Sequence, residues 1–196
     1  MSTPTRVSTT PLQTQGIALA LVMTALALVG RSASAATATT TLNVSATVAQ
    51  DCSITTTPLA FGNYMPATAH SVTALTGTAT VTIACTAGTT TGGQNGPTIG
   101  LDLGSHASGP TRNMQRDTGT EVLAYELYQP NDNTPGTGCP AVGSGTVWGT
   151  TGSNLFTTTI PNALTGRTYT ICGVVPPGQD KPAGNYTDVV NATVNF

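Results

Sequence analysis

Apolar residues recur at every second position through most of the chain. In "TATVTIAC" they fall at Ala79, Val81, Ile83 and Cys85, and in "PTIGLDLG" at Ile99, Leu101 and Leu103. The same spacing puts Leu123, Tyr125 and Leu127 on one side of "EVLAYELYQ", and Tyr169, Ile171, Gly173 and Val175 on one side of "TYTICGVV". "TDVVNATVNF" repeats it with Val190, Ala192, Val194 and Phe196. A period of two places these side chains on one face of an extended strand. The intervening threonines are β-branched and suit a pleated surface. Gly- and Pro-rich stretches separate the runs: "TAGTTTGGQNGP", "GSHASGPTRN", "QPNDNTPGTGCPAVGSG" and "PPGQDKPAGN". Short alternating strands punctuated by turns predict an all-β, antiparallel sandwich. "RDTGTEV" predicts a tight turn ahead of the Leu123 strand.

The one long apolar run without this period is "GIALALVMTALALVG", Gly16–Gly30. It is shorter than the roughly 20 residues needed to cross a bilayer. Small residues follow at Ala33 and Ala35, in the spacing that signal peptidase reads. Residues 1–35 are therefore expected to be a signal peptide, leaving one domain from residue 36 onward. Removing Arg6 and Arg31 leaves 4 of the 6 basic residues against 8 acidic ones. No basic patch remains, so nucleic-acid binding has no electrostatic footing. Export also bears on Cys52, Cys85, Cys139 and Cys172: an even number in an oxidising compartment predicts two disulfides. Three pairings are possible. Cys52–Cys85 with Cys139–Cys172 is favoured, joining the first strand to the second and a Gly/Pro-rich loop to a late strand. Zinc is disfavoured, because no C-x-x-C spacing occurs.

Catalytic chemistry finds little support. His70 and His106 lie in polar, loop-like stretches and are expected to be solvated. Glu121 and Glu126 are five apart on an extended run, which puts them on opposite faces and makes them a poor acid–base pair. "NDN" at Asn131–Asn133 lacks the acids of a calcium loop. Trp148 is expected to be packed at a strand end and not to serve as a sugar platform. The sequence predicts a non-enzyme without cofactor or metal. "TTTLNVSATVAQ" carries one further alternation, at Leu42, Val44, Ala46 and Val48, just after the expected cleavage point. Pattern alone allows two readings: an N-terminal arm, residues 36–49, ahead of a body at 50–196, or simply the domain's own first strand.

Taken in order, several pieces resemble the spore coat protein U-like domain, the subunit type of archaic chaperone–usher pili. They are "VAQDCSI", "LAFGNY" at Leu59–Tyr64, "TATVTIACT", "RNM" at Arg112–Met114 and "LAYELYQ" at Leu123–Gln129. "TVWGT" at Thr146–Thr150, "CGVVPPGQ" at Cys172–Gln179 and the closing "AGNYTDVVNATVNF" complete them. Cys139 and Cys172 are an addition to the single cysteine pair usual there. The resemblance implies an incomplete immunoglobulin-like sandwich lacking its last strand, completed by donor-strand exchange. It implies donor contacts at Leu42, Val44, Ala46 and Val48, and an acceptor edge at Val190, Ala192, Val194 and Phe196. The implied partners are neighbouring copies or related pilus subunits, a periplasmic chaperone and an outer-membrane usher. The implied setting is export through the periplasm to a surface fibre that supports adhesion and biofilm formation. A spore or cell-surface coat protein is the alternative, and a secreted monomeric sugar-binding sandwich a third reading.

Overall fold

The structure is a computed structural model and describes residues 35–196; the expected signal peptide lies outside them except for Ala35. The chain divides between Ser45 and Ala46. Residues 35–45 form no regular element, and Leu42 and Val44 are exposed. In the body, nine strands are described: β1 (Cys52–Thr56), β2 (Leu75–Cys85), β3 (Thr98–Leu101), β4 (Arg112–Arg116), β5 (Val122–Tyr128), β6 (Phe156–Thr157), β7 (Arg167–Val175), β8 (Tyr186–Thr187) and β9 (Ala192–Asn195). A single 3-10 turn, Gly152–Asn154, precedes β6, and no α-helix occurs among the described residues. The protein is all-β.

Two antiparallel sheets share one core. The larger has the order β1-β2-β7-β5-β4-β8 and the smaller β6-β3-β9. The inward residues of β2, β5 and β7 are those the alternation picks out: Ala79, Val81, Ile83 and Cys85, then Leu123, Tyr125 and Leu127, then Tyr169, Ile171 and Val175. Ile99 and Leu101 of β3 and Phe156 of β6 meet them from the smaller sheet. At roughly 1.5–3 kcal/mol for each fully buried large side chain, this shared core is the dominant favourable term for folding.

β3 is buried on both faces. Its outer side is covered by the segment carrying Trp148, whose indole N–H donates to the Ile99 carbonyl at 2.8 Å and whose ring packs 4.9 Å from Phe156. A side chain at Gly100 would press on Leu155 and Thr150 at 3.3–3.4 Å, so the strand is kept bare where this cover comes closest. The expected buried run does not extend to Leu103, which is 38% exposed. The Asp102 carboxylate accepts the Gly104 N–H at 3.0 Å, and Gly104 takes a left-handed φ of 82°, which ends the strand at Leu101.

The disulfides are Cys52–Cys85 and Cys139–Cys172. Cys52 stands directly opposite Cys85, closing the end of the β1–β2 ladder. The second bridge ties the loop before Trp148 to β7.

Candidate functional site

The six-stranded sheet ends at β1 and the three-stranded sheet at β9. Among the described residues β1 pairs only with β2, and β9 only with β3. These two edges are neighbours in space but are not joined by a ladder. Between them opens a groove of about 430 Å³. Its floor is apolar, formed by Ala79, Leu101, Met114, Leu127 and Ile171 together with the ring of Tyr125. One wall is the continuation of β1 from Thr56 to Phe61, and the other runs from Tyr186 to Ala192.

The first wall depends on two glycines. Gly77 and Gly173 face each other across the β2–β7 ladder. A Cβ at Gly173 would lie 2.7 Å from Phe61 Cζ and 2.8 Å from Leu59 Cδ1, so the bare sheet is what lets Leu59 and Phe61 settle onto it. Phe61 then meets Tyr125 edge-to-face at 6.0 Å. Further along, the Tyr64 hydroxyl donates to the Pro176 carbonyl at 2.8 Å and accepts the Gln179 N–H at 2.9 Å. The Gln179 side-chain amide bonds both the N–H and the C=O of Ala124, standing in for a neighbouring strand.

The second wall depends on two aspartates. Asp188, whose side chain is 3% exposed, accepts the Tyr125 hydroxyl at 2.7 Å, the Ser105 N–H at 2.9 Å and the His106 N–H at 3.2 Å. Its Oδ1 is also 2.9 Å from His106 Nδ1. Burial first, and then the Asp188 carboxylate, push the Tyr125 phenol far above its ordinary value. Asp102 accepts both the backbone and the side-chain N–H of Asn191, at 2.9 and 2.7 Å. Burial alone would raise its pKa; the Asn191 and Gly104 N–H groups and the Arg112 charge outweigh that and hold it below the usual value.

Arg112 sits beneath this wall, fully buried. Its guanidinium pairs with Glu126 and donates to the carbonyls of Leu101, Asp102 and Trp148. Those acceptors tie together β3, β5 and the Trp148 segment. A buried cation is tolerable only with partners of this number and kind.

The acceptor positions expected from the sequence lie along this rim. Val190, Ala192 and Val194 are half-buried and pack on the core, while Phe196 is 47% exposed. Of the expected donor positions, Ala46 and Val48 are exposed like Leu42 and Val44, and no described ladder includes any of the four. Both histidines depart from the expectation of solvated loop residues. His106 is half-buried against Asp188, and His70 accepts the Met65 N–H at 2.9 Å while stacking on Tyr64 at 5.3 Å. Asp132 closes its own turn through Thr134 and Thr137, each at 2.7 Å. No sequence signal singles out Asp188, Arg112 or Gln179; the runs "RNM", "CGVVPPGQ" and "AGNYTDVV" contain them, but each finds its partners far along the chain.

A two-sheet antiparallel sandwich with an apolar groove between two unpaired edges defines a β-protein built to make contacts through strand edges. The family model of the Spore Coat Protein U domain matches residues 38–193, and the chain belongs to that family. It is 35% identical over 167 residues to Protein U of Myxococcus xanthus, covering 79% of this chain and 83% of that protein. Among solved structures, it is similar to the CsuC–CsuE chaperone–tip adhesion subunit pre-assembly complex from the archaic chaperone–usher Csu pili of Acinetobacter baumannii. The TM-score is 0.50 at 23% identity, and the match covers 76% of this chain and 41% of that one. At that identity the likeness concerns the fold.

Proposed function

We propose that this protein is a pilin-like structural subunit of a surface assembly, exported by a chaperone–usher route and completed by a β-segment from another polypeptide. The observation that carries this is the 430 Å³ groove with an open strand edge on either side. Unpaired edges present N–H and C=O groups to any extended segment. A strand laid between β1 and β9 satisfies both and drops alternate side chains onto the apolar floor. Donor-strand complementation of pilins is an established form of strand addition, and the fold-level likeness to a chaperone–subunit complex supports this assignment.

In this reading a periplasmic chaperone strand fills the groove first, and the usher directs its replacement by the arm of the next subunit. Leu42, Val44, Ala46 and Val48 are the donor contacts, and Val190, Ala192, Val194 and Phe196 the acceptor edge. Burying one Leu and two Val at about 1.5–3 kcal/mol each, plus an Ala, yields roughly 5–8 kcal/mol before ordering costs. Head-to-tail contacts of this kind do not close and therefore build filaments. Adhesion and biofilm support follow as the role of such a fibre.

The test is a Leu42→Asp/Val44→Asp double variant expressed with its export pathway. Normal subunit levels with no polymer by electron microscopy are expected; polymer at wild-type abundance would overturn the donor assignment. The likeness to Protein U favours a second reading, a coat component assembled through the same groove. Sheet-like surface layers instead of fibres in the same micrographs would select it.

A further inference from the structure

We infer that the root of the arm is locked against closing the chain's own groove, so that the occupant must come from a second polypeptide. This rests on reading the groove as a strand acceptor. For the chain to fill its own groove, the residues before β1 would have to reverse and lie antiparallel along the free edge of β1. The apolar positions run up to Val48, so the reversing loop has only Ala49, Gln50 and Asp51 to work with.

Two independent features oppose that turn. The first is conformational. Short hairpin loops need residues with positive φ, supplied chiefly by Gly or Asn, and "AQD" contains neither. Asp51, which tolerates that region best of the three, is held elsewhere. Its carbonyl accepts the Thr86 N–H at 2.9 Å, extending the β1–β2 ladder one residue past Cys52. The second is a three-point clamp. The Gln50 side-chain oxygen accepts the Thr90 N–H at 3.0 Å, Asp51 is held by Thr86, and Cys52 is bonded to Cys85 opposite it. All three anchors lie on the β2 side of β1, whereas the groove lies on the other side. A longer loop would begin upstream of Val48 and forfeit Val48 and Ala46 as contacts, leaving two of the four apolar side chains.

The clamp thus separates two outcomes that the same arm and groove could otherwise share: a self-closed monomer and an open chain. The experiment installs the missing turn. In a Gln50→Asn/Asp51→Gly variant, Asn-Gly supplies the hairpin and the shortened side chain releases Thr90. The exported full-length chain is compared with this variant by hydrogen-exchange mass spectrometry and by binding of a fluorescent peptide of residues 38–49. For the wild type, slow exchange at residues 40–48 is absent at low concentration, and the peptide binds and protects β1 and β9. For the variant, residues 40–48 become protected independently of concentration, peptide binding falls at least tenfold and polymer declines. A wild-type monomer with a protected arm that refuses the peptide overturns the inference, and so does a variant indistinguishable from wild type. A peptide that protects neither edge in either protein instead defeats the acceptor reading, and the inference falls with it.

Discussion

Removing the Asp188 carboxylate tests how the groove is held open. Asp188→Ala deprives four groups of their acceptor: the Tyr125 hydroxyl, the Ser105 and His106 N–H groups and His106 Nδ1. Their costs differ. Ser105 N–H keeps a second acceptor in the Val189 carbonyl at 3.0 Å, and half-buried His106 can turn to water. Tyr125 is only 6% exposed, so its hydroxyl is left without a partner inside the protein. An orphaned buried donor costs about 1–3 kcal/mol; with a smaller share from the loop, the variant should lose about 2–3 kcal/mol. For a chain of this size each kcal/mol lowers Tm by roughly 2–4 °C, giving a drop of about 4–12 °C by circular dichroism. Asp188→Asn preserves shape and an acceptor oxygen and should cost less than half as much. Tyr125→Phe completes a double-mutant cycle: destabilising alone, it should be neutral or stabilising when combined with Asp188→Ala. If Tyr125→Phe costs the same in both backgrounds, or if Asp188→Ala shifts Tm by less than about 2 °C, half the smallest drop expected, the wall is not held by this hydrogen bond.

Arg112→Met should be the most damaging single change in the body, by about 3–5 kcal/mol, because it strands the Glu126 carboxylate and three inward carbonyls; urea unfolding would measure it, and a loss under about 1 kcal/mol would refute the role assigned to Arg112. Gly173→Ala drives a methyl to within 2.8 Å of Leu59 and Phe61 and should cost about 1–3 kcal/mol of overpacking, read as a lower Tm together with faster exchange at residues 59–61. The depressed Asp102 pKa makes its contribution full above the ordinary value of 3.8 and lost as pH falls below it; an Asp102→Asn variant should show a flatter acid limb in its stability–pH profile. Loss of Cys139–Cys172, with its sequence separation of 33, should cost about 3–4 kcal/mol on the chain-entropy estimate, measured on a Cys139→Ser/Cys172→Ser variant.

The strands that can be read from the sequence are those in which large apolar residues carry the alternation. β2, β5 and β7 bury the side chains that the period of two selects, because their other face is open enough to be polar. β3 is legible in its first half only, since the turn at Asp102 and Gly104 is written in hydrogen bonds and not in hydropathy. β4 has no apolar alternation: its innermost side chain is a charged Arg112, made soluble in the core by carbonyls up to 36 residues away. β6 and β8, of two residues each, are too short to show any period. His106 escapes a sequence reading for the same reason as Arg112: its partner Asp188 is 82 residues distant and leaves no local mark. The groove itself can be anticipated only through the family resemblance, because a gap between two edges is a property of topology.

The bridge at the start of β1 has a mechanical consequence. Tension drawn along the chain through Gln50 and Asp51 reaches the body at Cys52, where the bond to Cys85 passes it directly to the far end of β2. β1 therefore cannot be peeled away one rung at a time from that end. The pull falls instead on the long seam between β2 and β7, where nine residue pairs resist sliding together.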